Sequence, residues 1–312
     1  VGFFFFTKTK TKTYIFFLYG EKKIKKAIIT DTNSGLSEAE AKKYDIKLIA
    51  MPFSIGGKDY LEGVNLSIEE FLKMQAADMD ISTSQPSPLD VMQLWDELLQ
   101  SYDNILHIPM SSALSNSCET AMALSKDEPY EGRVYVVDSL RISATQVHAC
   151  IEARNMLESG MEAAKVAEVL YEHRYDYSIY LTVDTLKYLK KGGRITPAAA
   201  LIGTLLNIKP ILTIQGGKLD SFAKVRTIKQ AKTTMLSAIK ADLEKRFEDT
   251  DGSKTRIAVV HANNDEVAKE LREEILKELP GAKDISIADL SLSIVTHTGP
   301  GVIAIAASKK LS

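Results

Sequence analysis

Arg194 follows a lysine-rich helix end and a double glycine, Lys190-Lys191-Gly192-Gly193, and directly precedes a stretch from Ile195 to Ile208 that carries no charge. Lysines and one glycine are what a helix C-terminus uses to finish. The second glycine and the arginine exceed that need, and a glycine pair lets backbone approach a ligand or partner closely. A cation beside a wall of Ala, Leu, Ile, Gly and Thr suits a ligand with one anionic end and one apolar end.

Four further polar interruptions break otherwise apolar elements. In Thr83-Ser84-Gln85-Pro86-Ser87 the serines read as helix caps and turn formers, which leaves Thr83 free to bind. Ser111-Ser112-Ala113-Leu114-Ser115 joins a strand end to a helix start, where N–H groups and hydroxyls converge on an anion or carboxyl group. There Ser115 reads as the cap and Ser112, beside Ser111, as the better ligand candidate. His297-Thr298-Gly299-Pro300-Gly301 sets one of the five histidines in a loop, where a packing role is less expected. His107, His148 and His173 fall inside predicted elements, and His261 ends a strand. Asp138-Ser139 follows another strand and reads equally well as a plain turn.

At 312 residues the chain exceeds the usual single core, so two domains are expected. A net charge of −2 gives no global field for nucleic acid or an anionic membrane, so no nucleic-acid partner is expected. Cys118 and Cys150 sit in apolar, helix-like surroundings and in no CxxC or zinc spacing, which reads as buried free thiols, a reducing cytoplasm and no metal. No stretch approaches the roughly 20 apolar residues that span a bilayer. Residues 1–23, with a four-Phe run and alternating Thr and Lys, read as a non-native or disordered leader.

Strands alternate with helices in the first half. Lys25 to Thr30, Ile46 to Phe53, Ile105 to Met110 and Val134 to Val137 read as strands. Helices are predicted from Ser37, from Ser67 to about Ala77 behind a Ser67/Glu70 capping box, over Leu89–Ser101, Ser115–Ser125 and Ser143–Ser159, and from Met161 to about Tyr175. This is the pattern of a parallel sheet, whose ligands bind beyond the carboxyl ends of strands. Asp31, Ser111, Ser112, Asp138 and Ser139 fall there. Next come a strand at Ser178–Val183 and a hairpin through Gly216-Gly217. A long helix spans Thr227–Phe247, followed by strand, helix, strand, strand at Thr255–Val260, Val267–Leu279, Asp284–Ala288 and Val302–Ala307. The fold class is therefore a two-domain α/β protein. A parallel-sheet N-terminal lobe (24–176) meets a mixed α/β C-terminal lobe (177–312), with the ligand between them and the break near Arg174 to Tyr177.

Several of these motifs occur together in one known order. They are Thr30-Asp31-Thr32, Thr83 to Ser87, Ser111-Ser112 with Leu114-Ser115, Val137-Asp138-Ser139, Asp184-Thr185-Leu186 through Lys191-Gly192-Gly193-Arg194-Ile195, Asn207 to Leu212, Lys224-Val225-Arg226-Thr227 and His297 to Gly301. From about Lys23 onward the chain thereby resembles the DegV family. It departs from that family's pattern at Asn33-Ser34-Gly35, Pro109-Met110 and Ser115-Asn116-Ser117. The resemblance implies a bacterial, cytoplasmic lipid-binding protein without catalysis or cofactor of its own. Its ligand would be a long-chain fatty acid, presented to a fatty acid kinase that makes an acyl phosphate for phospholipid synthesis, with room for transient membrane contact. Carried over residue by residue, it implies that Thr83, Ser112 and the neighbouring Ser111 hold the carboxyl group. Arg194, His297 and Thr298 would face the head group and the partner. Ala199, Leu201, Ile202 and Leu205, within the Ala198–Leu206 segment, would line the acyl tunnel. Two other readings stay open. One is a serine esterase or acyl-transfer enzyme using Ser112 and His297, although no GxSxG, Walker loop, GxGxxG or HExxH is present. The other is a regulatory protein that senses lipid.

Overall fold

A computed structural model describes residues 24–201, 208–283 and 285–311 of the chain. The first half runs β1 (Lys26–Asp31), α1 (Glu38–Lys43), β2 (Ile46–Ile49), β3 (Pro52–Ile55), β4 (Lys58–Leu61), α2 (Ile68–Ala76), β5 (Ile81–Thr83), α3 (Pro88–Leu99), β6 (Asn104–Ile108), α4 (Ser117–Leu124), β7 (Val134–Val136), α5 (Ala144–Glu158) and α6 (Ala163–Glu172). The second half runs β8 (Tyr177–Thr182), α7 (Lys187–Gly192), α8 (Pro197–Ala200), β9 (Lys209–Ile214), β10 (Asp220–Val225), α9 (Ile228–Arg246), β11 (Thr255–His261), α10 (Asp265–Glu278), β12 (Ile285–Asp289), α11 (Leu292–Thr298) and β13 (Ile303–Lys309).

Among the described residues these strands form three sheets. The first, in the order β2-β1-β6-β7, is wholly parallel. Apolar residues cover both its faces: Ile28, Leu106 and Ile108 pack toward α5 and α6, and Ala27, Ile29 and Ile105 pack toward Trp95 of α3. Burial on both faces is why these strands read as continuous apolar runs. The second sheet, β10-β9-β8-β13-β11-β12, is mixed; only β11 and β12 run parallel. Its outer face is closed by α9 and α10 through Met235, Ile239, Leu271 and Ile275. Its inner face, carrying Ile179, Leu181, Val260, Ala304 and Ala306, turns toward the first half. The architecture is thus α/β with a parallel N-terminal sheet and a mixed C-terminal one.

The third sheet, β4-β3-β5, is antiparallel and was not foreseen. The run Ile46–Phe53, expected to be one strand, divides between two sheets. Ile49 packs with Ala27, Ile29 and Trp95, whereas Phe53 packs with Tyr60 and Phe71 in a different cluster. Pro52 opens β3, a position where its missing N–H does no harm. The hydroxyl-rich loop beginning at Ser82 in fact starts as β5, with Thr83 opposite Phe53. This small sheet and α2 are fastened to the C-terminal half at several points. Gln75 Nε2 donates to the Val295 carbonyl at 3.0 Å, and Lys187–Asp78 and Lys191–Asp80 pair at 2.7 and 2.8 Å. The two ion pairs are exposed and contribute little stability.

Two helix starts also differ from expectation. Ser115 does not cap the next helix. Its Oγ accepts from Ser117 N at 3.2 Å, and α4 starts at Ser117 behind Asn116, which makes no side-chain cap bond. The loop around His297 is the end of a helix, α11, whose cap is Ser291, with its Oγ accepting from Ile294 N at 3.2 Å. Its composition of Ser, Thr and β-branched residues has weak helix propensity, and tertiary packing overrides it.

Candidate functional site

A cavity of about 510 Å³ lies between the inner face of the mixed sheet and the strand ends of the first half. That falls within the range of about 300–1,000 Å³ typical of small-molecule sites. Thr83, Ser112, Arg194, His297 and Thr298 all line it, from four separate elements or loops. The N-terminal Asn33 and Ser143 also reach it.

The histidine is placed by glycines. At Gly192 a Cβ would sit 2.2 Å from His297 Nδ1, so only a residue without one lets the ring lie against the end of α7. At Gly299 (φ +78) a Cβ would sit 2.5 Å from the Tyr188 ring, and at Gly301 (φ +80) 2.2 Å from Asp184 Oδ2. The glycines of the two motifs are thus what lets them interlock. On its open side His297 Nε2 lies 2.8 Å from Thr83 Oγ1. Burial, and then the charge of Arg194, push the imidazole pKa down to about 4. His297 is therefore neutral at physiological pH and half-buried.

Arg194 follows Gly193, whose left-handed backbone (φ +67) ends α7. Its Nε donates to the Leu114 carbonyl at 3.3 Å and its Nη1 to the Gly192 carbonyl at 2.5 Å. The guanidinium is partly buried and ties the C-terminal half to the loop that carries Ser112. Ser112 itself is clamped by Asp138. Its N donates to Oδ1 at 3.3 Å and its Oγ to Oδ2 at 2.5 Å, while Leu140 N donates to Oδ1 at 3.1 Å. Asp138 is thus more than a strand-end turn.

Ser111 does not reach the cavity. It is fully buried, and its Oγ accepts from Ala113 N at 3.2 Å in a local turn, so it is unavailable to a ligand. Thr298 does line the cavity, but its hydroxyl donates to the Ile294 carbonyl at 3.1 Å. The pairing that a hydrolase would use is not formed either. Ser112 donates to Asp138, and His297 bonds Thr83.

Among the described residues the apolar wall is built from strands. It comes from alternate residues on the mixed sheet, Ile179, Leu181, Ile214, Val260, Ala304 and Ala306. Ala199 is buried in the same core but is not part of the cavity lining. Leu201 is 73% exposed, because it ends the short helix α8 on the solvent side. Ile202 and Leu205 lie outside the described residues.

Two buried acids hold the frame. Asp31 accepts from Met110 N at 2.7 Å, fixing the strand end that leads into Ser111-Ser112; burial raises its pKa to about 6. Glu62 accepts from Thr32 Oγ1 at 2.8 Å, from Leu292 N, and from Ser293 N at 3.4 Å, so it sits at the first turn of α11; burial raises its pKa to about 7. Asp31 carries a sequence signal at its strand end. Glu62 carries none, since its partner helix is some two hundred residues away. Among the described residues no cluster of His, Cys, Asp and Glu could hold a metal, and no helix is long and apolar enough to cross a membrane.

Comparison with known proteins agrees with this geometry. A DegV domain-containing protein of Streptococcus pneumoniae is 32% identical over 286 residues, covering 90% of this chain and 98% of that relative. A DegV family protein from Thermus thermophilus, whose structure is described as one of fatty acid binding, superposes with a TM-score of 0.83 at 28% identity, covering 92% of this chain and all of that one. A protein from Thermotoga maritima, described as revealing a fatty acid binding function, gives a TM-score of 0.79 at 30% identity, covering 92% of this chain and 99% of that one. The family model described as "Uncharacterised protein, DegV family" matches residues 25–310, and the chain belongs to the DegV family.

Proposed function

We propose that the chain binds a long-chain fatty acid in this cavity and presents its carboxyl group to a fatty acid kinase. The observation that carries the reading is the division of one cavity into two chemistries. Thr83, Ser112 and Arg194 gather at one end, and the alternating Ile, Leu, Val and Ala of the mixed sheet form the rest. The solved relatives described as fatty-acid-binding support the ligand class.

The energetics favour the same ligand. A C16 tail carries ~14 methylenes, each worth about 0.8 kcal/mol on burial, a gross term on the order of 10 kcal/mol before association costs are subtracted. The head group then needs only satisfied hydrogen bonds, which hydroxyls provide without an added buried charge. Half-buried Arg194 is placed to meet the charge that develops at the head group during phosphoryl transfer on a partner.

The test is denaturing extraction and mass spectrometry of freshly purified protein, followed by titration with palmitate and oleate. A carried acyl chain or uptake of either acid is expected; finding neither removes the reading. Acyl-phosphate formation by kinase and ATP that depends on this chain tests the presentation step separately.

A further inference from the structure

Asp138 lies outside the cavity lining but controls the Ser112 hydroxyl at the head-group end. Its Oδ1 receives two backbone N–H groups, from Ser112 at 3.3 Å and Leu140 at 3.1 Å. Its Oδ2 receives the Ser112 hydroxyl at 2.5 Å. A carboxylate only accepts, and a serine hydroxyl has one hydrogen. With that hydrogen given to Asp138, Ser112 offers lone pairs to the cavity. The mouth therefore accepts a hydrogen bond at Ser112 and does not donate one.

An ionised carboxyl group has no hydrogen to offer there. Seated on Ser112, it would also bring a second negative charge to roughly 5 Å from Asp138, two hydrogen-bond lengths away, where like charges disfavour ionisation. Arg194 lines the same cavity. Two of its N–H groups are spent on the Leu114 and Gly192 carbonyls, and others are left for a carbonyl oxygen. Arg194 and Asp138 together balance in charge, so a neutral head group with one donor and one acceptor fits the pair.

We infer that Asp138 is the specificity-determining residue of the head-group end: by holding the Ser112 proton it selects a head group that donates a hydrogen bond, the un-ionised acid over its anion. The inference rests on reading the cavity as a fatty-acid site. It also assigns a wider ligand class, long-chain primary amides and alcohols, which carry the donor without needing to be protonated. For an acid with an ordinary carboxyl pKa of about 4.3, taking up the neutral form at pH 7 costs ~500-fold in affinity, a cost that neutral donors escape.

The variant that reverses the preference is Asp138→Asn. Since Oδ1 is held by two backbone N–H groups, the amide oxygen takes that place and the NH2 group faces Ser112 Oγ. Ser112 then accepts from Asn and turns its own hydrogen into the cavity, where an anion can use it.

The experiment measures dissociation constants at pH 7.5 for palmitate, hexadecanamide, hexadecanol and methyl palmitate with the wild-type chain and with Asp138→Asn. In the wild type the amide and alcohol are expected to bind more tightly than palmitate, and the methyl ester, lacking a donor, at least tenfold more weakly than the amide. In Asp138→Asn palmitate is expected to gain at least tenfold on the amide. A palmitate-to-amide ratio that is the same in both proteins within a factor of two overturns the inference. If the variant does not fold, the wild-type series still decides: an amide weaker than palmitate overturns it. Failure of the wild type to bind any of the four ligands is a different result, which removes the fatty-acid reading and this inference with it.

Discussion

The head-group end depends on contacts that tolerate almost no added atoms. Gly192 is the sharpest case, since an added Cβ would stand 2.2 Å from His297 Nδ1. Gly192→Ala improves helix propensity at that position, yet it must push the imidazole away from the end of α7. Overpacking of this kind costs about 1–3 kcal/mol. The displaced ring gives up its bond to Thr83, so palmitate affinity is expected to fall about tenfold or more while far-UV circular dichroism stays unchanged. Titration of the purified variant beside the wild type reads this directly; equal affinities would show that the ring position does not matter to the ligand.

Among the elements, α11 is held by an acid whose ionisation is costly. The Glu62 pKa is raised from 4.5 to about 7, first by burial and against its hydrogen bonds to Thr32, Leu292 and Ser293. Because the folded state holds this proton more tightly than the unfolded chain, stability from the group is fully present below about pH 4.5. It declines as the pH rises toward 7. Glu62→Gln keeps an oxygen for the α11 N–H groups and cannot ionise. The variant is therefore expected to gain on the wild type as pH rises from 5 to 8, by an amount on the order of 3 kcal/mol. Urea midpoints at the two pH values measure it, and a difference that does not grow with pH counts against the assignment. His297 works in the opposite sense: its depressed pKa withdraws stability as pH falls from 6.5 toward 4. Elements of this kind show how far the sequence could be read. The parallel strands and the Ser67 cap were legible because local pattern encodes them; Thr83, Ser112, Arg194 and His297 stood out singly as polar interruptions, and only the family resemblance brought them together. The small sheet, α11 and Glu62 were not legible. Each exists through pairings between distant segments, which leave no period in the local sequence.

At the scale of the whole molecule, the cavity is a space that the mixed sheet leaves by presenting small side chains at its centre. In β13, Ala304 lies opposite Leu181 and Val260, and Ala306 opposite Ile179 and Ala258. Val302, nearest the His297 loop, and then Ala304 and Ala306 form successive steps away from the head-group end, each pair of residues advancing roughly 6.6 Å. Ala306→Leu fills the deeper step without touching Thr83, Ser112 or Arg194. It is expected to shift the preferred chain toward shorter acids, with palmitate weakened about tenfold relative to laurate. Mass spectrometry of carried lipid and a chain-length titration series check this; an unchanged preference would place the end of the tail elsewhere.

The position of β13 has one more consequence. It is hydrogen-bonded between β8 and β11, at the middle of its sheet, yet it is made after both of them. During synthesis on the ribosome, nearly every other wall of the cavity has emerged before residues 303–309 slot into the gap. A nascent chain that has not yet made β13 therefore lacks the strand that joins the two halves of this wall, and the edges of β8 and β11 wait, unpaired, for it to arrive.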